Sequence, residues 1–405
     1  MDYRVWLGIF IIFVFAICLL VFSGCMSRPR NIVLCTTLTV LALGIRVWCM
    51  PHVTGDYRDF LSVWIQFFRE NGGVAALQYS IGNYNVPYLY FLALFSYSDV
   101  SGLYLIKLLS IFFDVVLAWA AMQLAGRFVQ DVPRRIFAFF AVLFLPTVVL
   151  NGAYWGQCDS IYIAFAVLAI WLALSDRPVL SMICFAASFS FKLQAVFILP
   201  VIAVLWYRHR FSLWHALIFP AAYLVIVLPA VLMGRPLLDT LTLYLNQTGS
   251  IGGGLNYNSP SIFAFFLDGA NAAFWSKVGV LAAFAAMIAI LVWLYRRRSY
   301  VNDEVVFTAA LLFSVVIPFL LPHMHDRYFF GADVLSLIFA AVFPRLFFVP
   351  ALCQFASLLG YHAYLKGRYL FPMSYGAAAL AVVIVVLIAF ILYHFPAQRQ
   401  RKRRS

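Results

Sequence analysis

Apolar runs of membrane-crossing length recur from one end of this chain to the other, as in VWLGIFIIFVFAICLLVF at 5–22 and AAALAVVIVVLIAFILYHF at 377–395. A helix needs about 17–25 mostly apolar residues to cross the hydrocarbon core, and in lipid every backbone polar group must be satisfied internally. The composition agrees: 65% of the 405 residues are hydrophobic and only 11% charged, where soluble domains carry about a quarter charged. Such a chain cannot be wrapped in a water-soluble surface. It reads as an all-α polytopic membrane protein with about 11–14 transmembrane helices. A single transmembrane domain is expected over 1–405, with amphipathic helices lying in the interface within its long loops.

The formal charge of +13 raises nucleic acid as a partner, but the basic residues form short clusters between apolar runs and share no face. Arg28/Arg30, Arg127/Arg134/Arg135, Arg208/Arg210, Arg296/Arg297/Arg298 and the basic tail at 396–405 follow the positive-inside pattern. They are expected in the cytoplasm, with the tail lying against anionic lipid. The partner is therefore the bilayer and not nucleic acid. Seven cysteines show no metal or disulfide spacing, and Cys18, Cys35, Cys184 and Cys353 lie inside apolar runs as small core residues. VFSGC, ending at Cys25, has the look of a lipoprotein cleavage site, but MDYR lacks a basic n-region, so the run is expected to stay as a first transmembrane helix.

With the basic clusters inside, almost every uncommon polar motif falls on the opposite face: TGDYRDF at 54–60, NGAYWGQCDS at 151–160, FKLQ at 191–194, NQTGSIGGGLNYNSPS at 246–261 and HMHDRYF at 323–329. Two long segments on that face, 51–101 and 233–276, are too long for turns and too aromatic for linkers. In the first, Phe60, Trp64, Phe67 and Phe68 recur at helical spacing and stop at Asn71-Gly72-Gly73, describing an amphipathic interfacial helix.

Asp56 opens that helix and Asp59 follows one turn later, so helical spacing puts both carboxylates on one side. Asp56 reads either as an N-terminal cap, with Asp59 a first-turn acid, or as a general base at the membrane surface. A base of this kind serves a sugar transfer in which a phosphate leaves. Arg327, His325, His323 and Lys192 would supply the positive partners that a departing phosphate needs. The competing reading of HMHDR is a helix end capped by two histidines and an Asp326–Arg327 pair. A zinc site is disfavoured because His323 and His325 would point apart on a helix and no third ligand is near. Tyr154 and Trp155 suit an interfacial aromatic belt equally well. Gln157 and Asp159, at the mouth of a span, could bond sugar hydroxyls or hold basic groups. Asn256, Tyr257, Asn258 and Ser259 before Pro260 read as a turn cluster or as part of a site, beside a flexible Gly252-Gly253-Gly254 run.

Taken in order, GDYRDF with Trp64 and Gly72, YWGQCDSIY, FKLQAVFILP and HMHDRYFF resemble the GT-C superfamily of multispanning glycosyltransferases over roughly 54–330. The likeness is to the bacterial branch related to the GPI-anchor mannosyltransferases. It implies a polyprenyl-phosphate sugar donor and inverting transfer of a hexose, mannose or glucose, in the bacterial cytoplasmic membrane with the site facing outward. The acceptor would be a glycan, glycolipid or protein in cell-surface assembly. Asp56 would be the base and Arg327, with His325, His323 and Lys192, the phosphate contacts. Arg58, Asp59, Tyr154, Trp155, Gln157, Asp159, Gln194, Asn256, Asn258, Asp326 and Tyr328 would bind or support substrate. A divalent cation (Mg or Mn) is not chemically obligatory where Arg and Lys can neutralise the phosphate. Relatives usually carry Glu where this chain has Asp326, and acids closer together than Asp56 and Asp59. Two other readings compete: a polysaccharide polymerase or ligase, and a transporter or lipid flippase, for which Lys107 and Asp114 inside a span are the support.

Overall fold

The computed structural model describes residues 1–249, 253–266 and 271–404. Among these the chain is helical almost throughout. Eight helices are long and apolar enough to cross a membrane, nine if Val132–Leu143 and Pro146–Trp155, bent by 45°, count as one span. Five shorter apolar helices accompany them. The chain divides into two compact units, one of residues 1–169, 182–193 and 217–250 and the other of 170–181, 194–216 and 251–405. Gly252 of the glycine run and Ser405 of the basic tail lie outside the described residues.

The first unit holds α1 (Tyr3–Phe22), α2 (Pro29–Cys49), α3 (Ser62–Glu70), α4 (Val86–Phe95), α5 (Gly102–Phe128), α6 (Val132–Leu143), α7 (Pro146–Val149), most of α8 (Asp159–Leu174) and α9 (Pro178–Phe191). α5 is its axis, packed along α6 and α1. Sequence periodicity decides which faces are inside. On α1, Val5, Ile9, Ile12, Ala16 and Leu20 form the buried stripe while Trp6, Leu7, Phe10 and Ile11 point outward. Exposed apolar side chains on a helix of this length need lipid around them. At one end of the unit Trp119 and Gln123 bond Ser23, near the Arg28/Arg30 and Arg127/Arg134/Arg135 clusters. The opposite end gathers the loops after α2, α7 and α9.

The second unit holds α10 (Val201–Tyr207), α13 (Ala272–Arg296), α14 (Asp303–Leu320), α15 (Phe330–Val342), α16 (Phe348–Lys366) and α17 (Met373–Arg404). α11 (Leu213–Leu232) begins here and continues with α12 (Leu237–Gly249) in the first unit. Buried nearly all round, α14 packs against α10, α13, α15 and α17. Its N-terminus is capped by Asn302, with Asp303 and Glu304 in the first turn, where the helix dipole favours acids. Arg210 bonds Asp303 there, and His394 of α17 meets Glu304 at 3.2 Å. At the other end β1 (Asn256–Tyr257) pairs in parallel with β2 (Met324–His325).

HMHDR is therefore a two-residue strand and turn between α14 and α15, not a helix end. Gly360 of α16 explains how the two loops seat on the bundle. A Cβ there would lie 2.6 Å from the Asn258 carbonyl and 2.9 Å from that of Asp326. Only glycine lets both backbones lie against the helix.

Candidate active site

Asp56 does not cap its helix. Its backbone is already helical, no side-chain capping bond forms, and the next residues, Tyr57–Leu61, make a π-turn before α3. Its Oδ2 instead accepts from the Trp155 indole Nε1 at 2.9 Å and the Gln157 amide Nε2 at 2.6 Å. Trp155 closes a second π-turn, Leu150–Trp155, and Gly156 at φ 87° reverses the chain so that Gln157 follows it toward the same carboxylate. Single π-turns inside α-helices recur at functional positions.

The two segments are stitched together by the backbone as well. Thr54 donates to the Trp155 carbonyl at 2.9 Å, His52 stacks on Tyr154 with ring centroids 3.8 Å apart, and Ser110 donates to the Gln157 carbonyl at 2.7 Å. Lys107 is the central clamp. Its buried ammonium donates to the carbonyls of Met50, His52 and Tyr154 at 3.1, 2.5 and 2.9 Å. Three carbonyl acceptors satisfy all three of its N–H groups, which is how a charge can sit in an apolar span.

One step further in, Lys192 meets Asp159 at 2.6 Å, both almost fully buried, and Asn151 donates to the other Asp159 oxygen at 2.6 Å. Lys192 also lies 5.4 Å from the centroid of Tyr84, whose hydroxyl donates to Gln157 Oε1 at 3.1 Å. A continuous polar chain thus runs from Asp56 through Gln157 and Tyr84 to Lys192 and Asp159, with Trp155 on its flank. Arg58 and Asp59 stand outside it, exposed and paired with one another at 3.2 Å. The backbone from Tyr57 onward is a π-turn, wider than the α-turn expected from the sequence.

Beneath this network Arg46 and Asp114 form an ion pair at 2.9 Å with both side chains fully buried, and Ser160 donates to the second Asp114 oxygen at 2.5 Å. Arg46 also donates to the carbonyls of Ala42 and Leu143. Lys107 and Asp114, the support for a transport path, are thus tied into helix and loop joints.

In the second unit, His323 has φ 60° and spends both ring nitrogens, Nδ1 donating to the Gly254 carbonyl at 2.6 Å and Nε2 meeting the Ser276 hydroxyl at 2.9 Å. His323 ties a loop in place. His325 stacks on Tyr257 at 4.8 Å and meets the tilted ring of Tyr328 at 5.2 Å. Arg327 lies 3.6 Å from the buried Asp326. Asn256 brackets Ser259, its amide donating to the Ser259 carbonyl at 2.8 Å and its side-chain oxygen accepting from the Ser259 N–H at 2.9 Å, while the Asn258 side-chain oxygen accepts from the Tyr369 hydroxyl at 2.5 Å. Gln194 is half-buried in the short helix Leu193–Phe197 of this unit. Among the described residues no three His, Cys, Asp or Glu side chains group as metal ligands.

Sequence reasoning missed Arg46, His52, Tyr84, Asn151 and Tyr369. Arg46 carried a signal, a charge in an apolar run. Tyr84, in an aromatic loop with many tyrosines, carried none.

The fold and the first unit's network define a class: a multispanning membrane protein with a carboxylate presented by two neutral N–H donors at the end away from the first unit's arginine clusters. Residues 90–208 match the MptA_B family, described as alpha-(1->6)-mannopyranosyltransferase, N-terminal domain. The match holds Asn151, Trp155, Gln157, Asp159 and Lys192, while Asp56 and Arg327 fall outside it. The resemblance to multispanning mannosyltransferases read from the motifs is supported over this segment, and with it a glycosyltransferase acting with mannose. No curated protein matches the chain.

Proposed function

We propose that this chain transfers mannose from a polyprenyl-phosphate donor to an acceptor hydroxyl on the extracytoplasmic face, with inversion at the anomeric carbon. The observation that carries the reading is the double N–H grip of Trp155 and Gln157 on Asp56 Oδ2. Two donors on one oxygen fix the plane of the carboxylate, so its base faces a defined direction.

In the proposed step, Asp56 takes the proton of the acceptor hydroxyl as that oxygen bonds to the mannose anomeric carbon. The bond from that carbon to the phosphate oxygen breaks, and its electron pair leaves with the polyprenyl phosphate. General-base assistance of this kind contributes about 10²–10⁴-fold. The leaving phosphate needs a cationic partner, and an Arg would offer it two parallel donors with a permanent charge. Lys192, neutralised by Asp159, supports the Tyr84–Gln157 edge of the base.

The test is a transfer assay on purified protein with synthetic polyprenyl-phosphate mannose and, separately, a nucleotide-linked mannose. Release of polyprenyl phosphate with a product of opposite anomeric configuration is expected. Turnover only with the nucleotide donor, or retention of configuration, overturns the proposal.

A further inference from the structure

We infer that the second unit carries a separate binding site for a neutral saccharide, in the cavity between the 253–266 segment and the Tyr369–Met373 loop. The cavity has about 640 Å³, within the range of about 300–1,000 Å³ typical of small-molecule sites. One part of its lining is amide and phenol, from Asn256, Asn258 and Tyr369, and another is aromatic, from Phe263, Phe266 and Phe371. Among the described residues no lining side chain is charged.

That combination selects the ligand. A phosphate would find no cation among the described lining residues. A prenyl or acyl chain would strip water from the amides without returning hydrogen bonds. A sugar ring offers what both parts of the lining need, C–H faces for the rings and hydroxyls for the amides. Asn258 is poised for such a bond. Its side-chain oxygen is occupied by Tyr369, and its amide NH₂ makes no hydrogen bond to a described residue. Its φ of 57° is held by the close seating of its carbonyl over Gly360. The surrounding wall is preformed, because His323 pins Gly254 and because Met373 packs on Leu359 and Ala363 with Ala264 against them.

This inference rests on the glycosyltransferase reading in that the saccharide would be the acceptor chain, held by a sugar distant from the reacting one. The experiment therefore measures binding without donor. Full-length protein in nanodiscs is titrated with mannose, mannobiose and mannotetraose by calorimetry. Affinity rising with chain length is expected. Asn258→Ala and Phe371→Ala should each weaken mannotetraose by about tenfold, and Tyr369→Phe by about threefold. In the transfer assay the same variants should raise acceptor KM by matching factors, with kcat and donor KM unchanged. Tyr369→Phe retains the ring, so it reports on the site even if Asn258→Ala fails to fold.

Wild-type protein that binds no saccharide, or variants that leave saccharide affinity intact, would overturn the site. So would displacement of the saccharide by farnesol, which would identify the occupant as a prenyl chain. If saccharides bind as described but no mannose is transferred, the proposed function falls and the site stands. If mannose is transferred with acceptor KM indifferent to all three variants, the site falls and the function stands.

Discussion

Single polar residues in this protein are held in an apolar setting by hydrogen bonds to a few fixed partners. A neutral hydrogen bond nets about 1 kcal/mol, so Trp155→Phe and Gln157→Leu should each lower kcat by about fivefold to tenfold while donor KM stays constant. A larger change in KM than in kcat, measured by steady-state transfer, would mean that these groups bind substrate directly. The buried Arg46–Asp114 pair makes a different prediction. Breaking a buried pair from one side strands a charge and costs about 3–5 kcal/mol, whereas replacing both by apolar side chains is often near neutral. Thermal unfolding in detergent should therefore show Asp114→Leu far less stable than the double change Arg46→Met with Asp114→Leu. Lys107 allows no such escape, because its partners are three backbone carbonyls that cannot be removed with it. Lys107→Met should lower both stability and kcat, since the clamp joins the loop of Asp56 to the loop of Trp155.

Among elements, the two π-turns and one glycine set the geometry that side chains then use. Tyr57–Leu61 follows Asp56 directly and Leu150–Trp155 ends on Trp155, so a π-turn borders each partner of the Asp56–Trp155 bond. Gly360 shows how a contact overrides a propensity. Alanine is favoured over glycine in a helix by about 1 kcal/mol, yet a Cβ at 360 would press on two loop carbonyls. Backbone cannot swing aside as a side-chain tip can. Gly44 in α2 is the control, with nothing within 4 Å of an added Cβ. Gly360→Ala should lower the unfolding temperature while Gly44→Ala leaves it level or raises it. Equal effects at the two positions would contradict the seating of the 256–259 and 325–327 segments on α16.

For the whole molecule, hydropathy made the fold class legible, since recurrent apolar runs admit few alternatives in lipid. Asp56, Trp155, Gln157, Asp159 and Lys192 could be picked out because polar residues at the ends of such runs are rare. Their partners could not. Lys107 finds carbonyls far off in sequence, Tyr84 sits in a loop without periodicity, and β2 exists only through pairing with a distant segment. Non-local contacts leave no local pattern. Sidedness is the molecular-scale prediction: in a cysteine-free background, Asp99→Cys should react with an impermeant maleimide from outside, and Ser27→Cys only after permeabilisation. The most direct test of the central claim is single-turnover transfer by Asp56→Asn beside Asp59→Asn. The account predicts a loss of about 10²–10⁴-fold in rate for the first, with donor binding retained, and little change for the second. Full turnover by Asp56→Asn would contradict it.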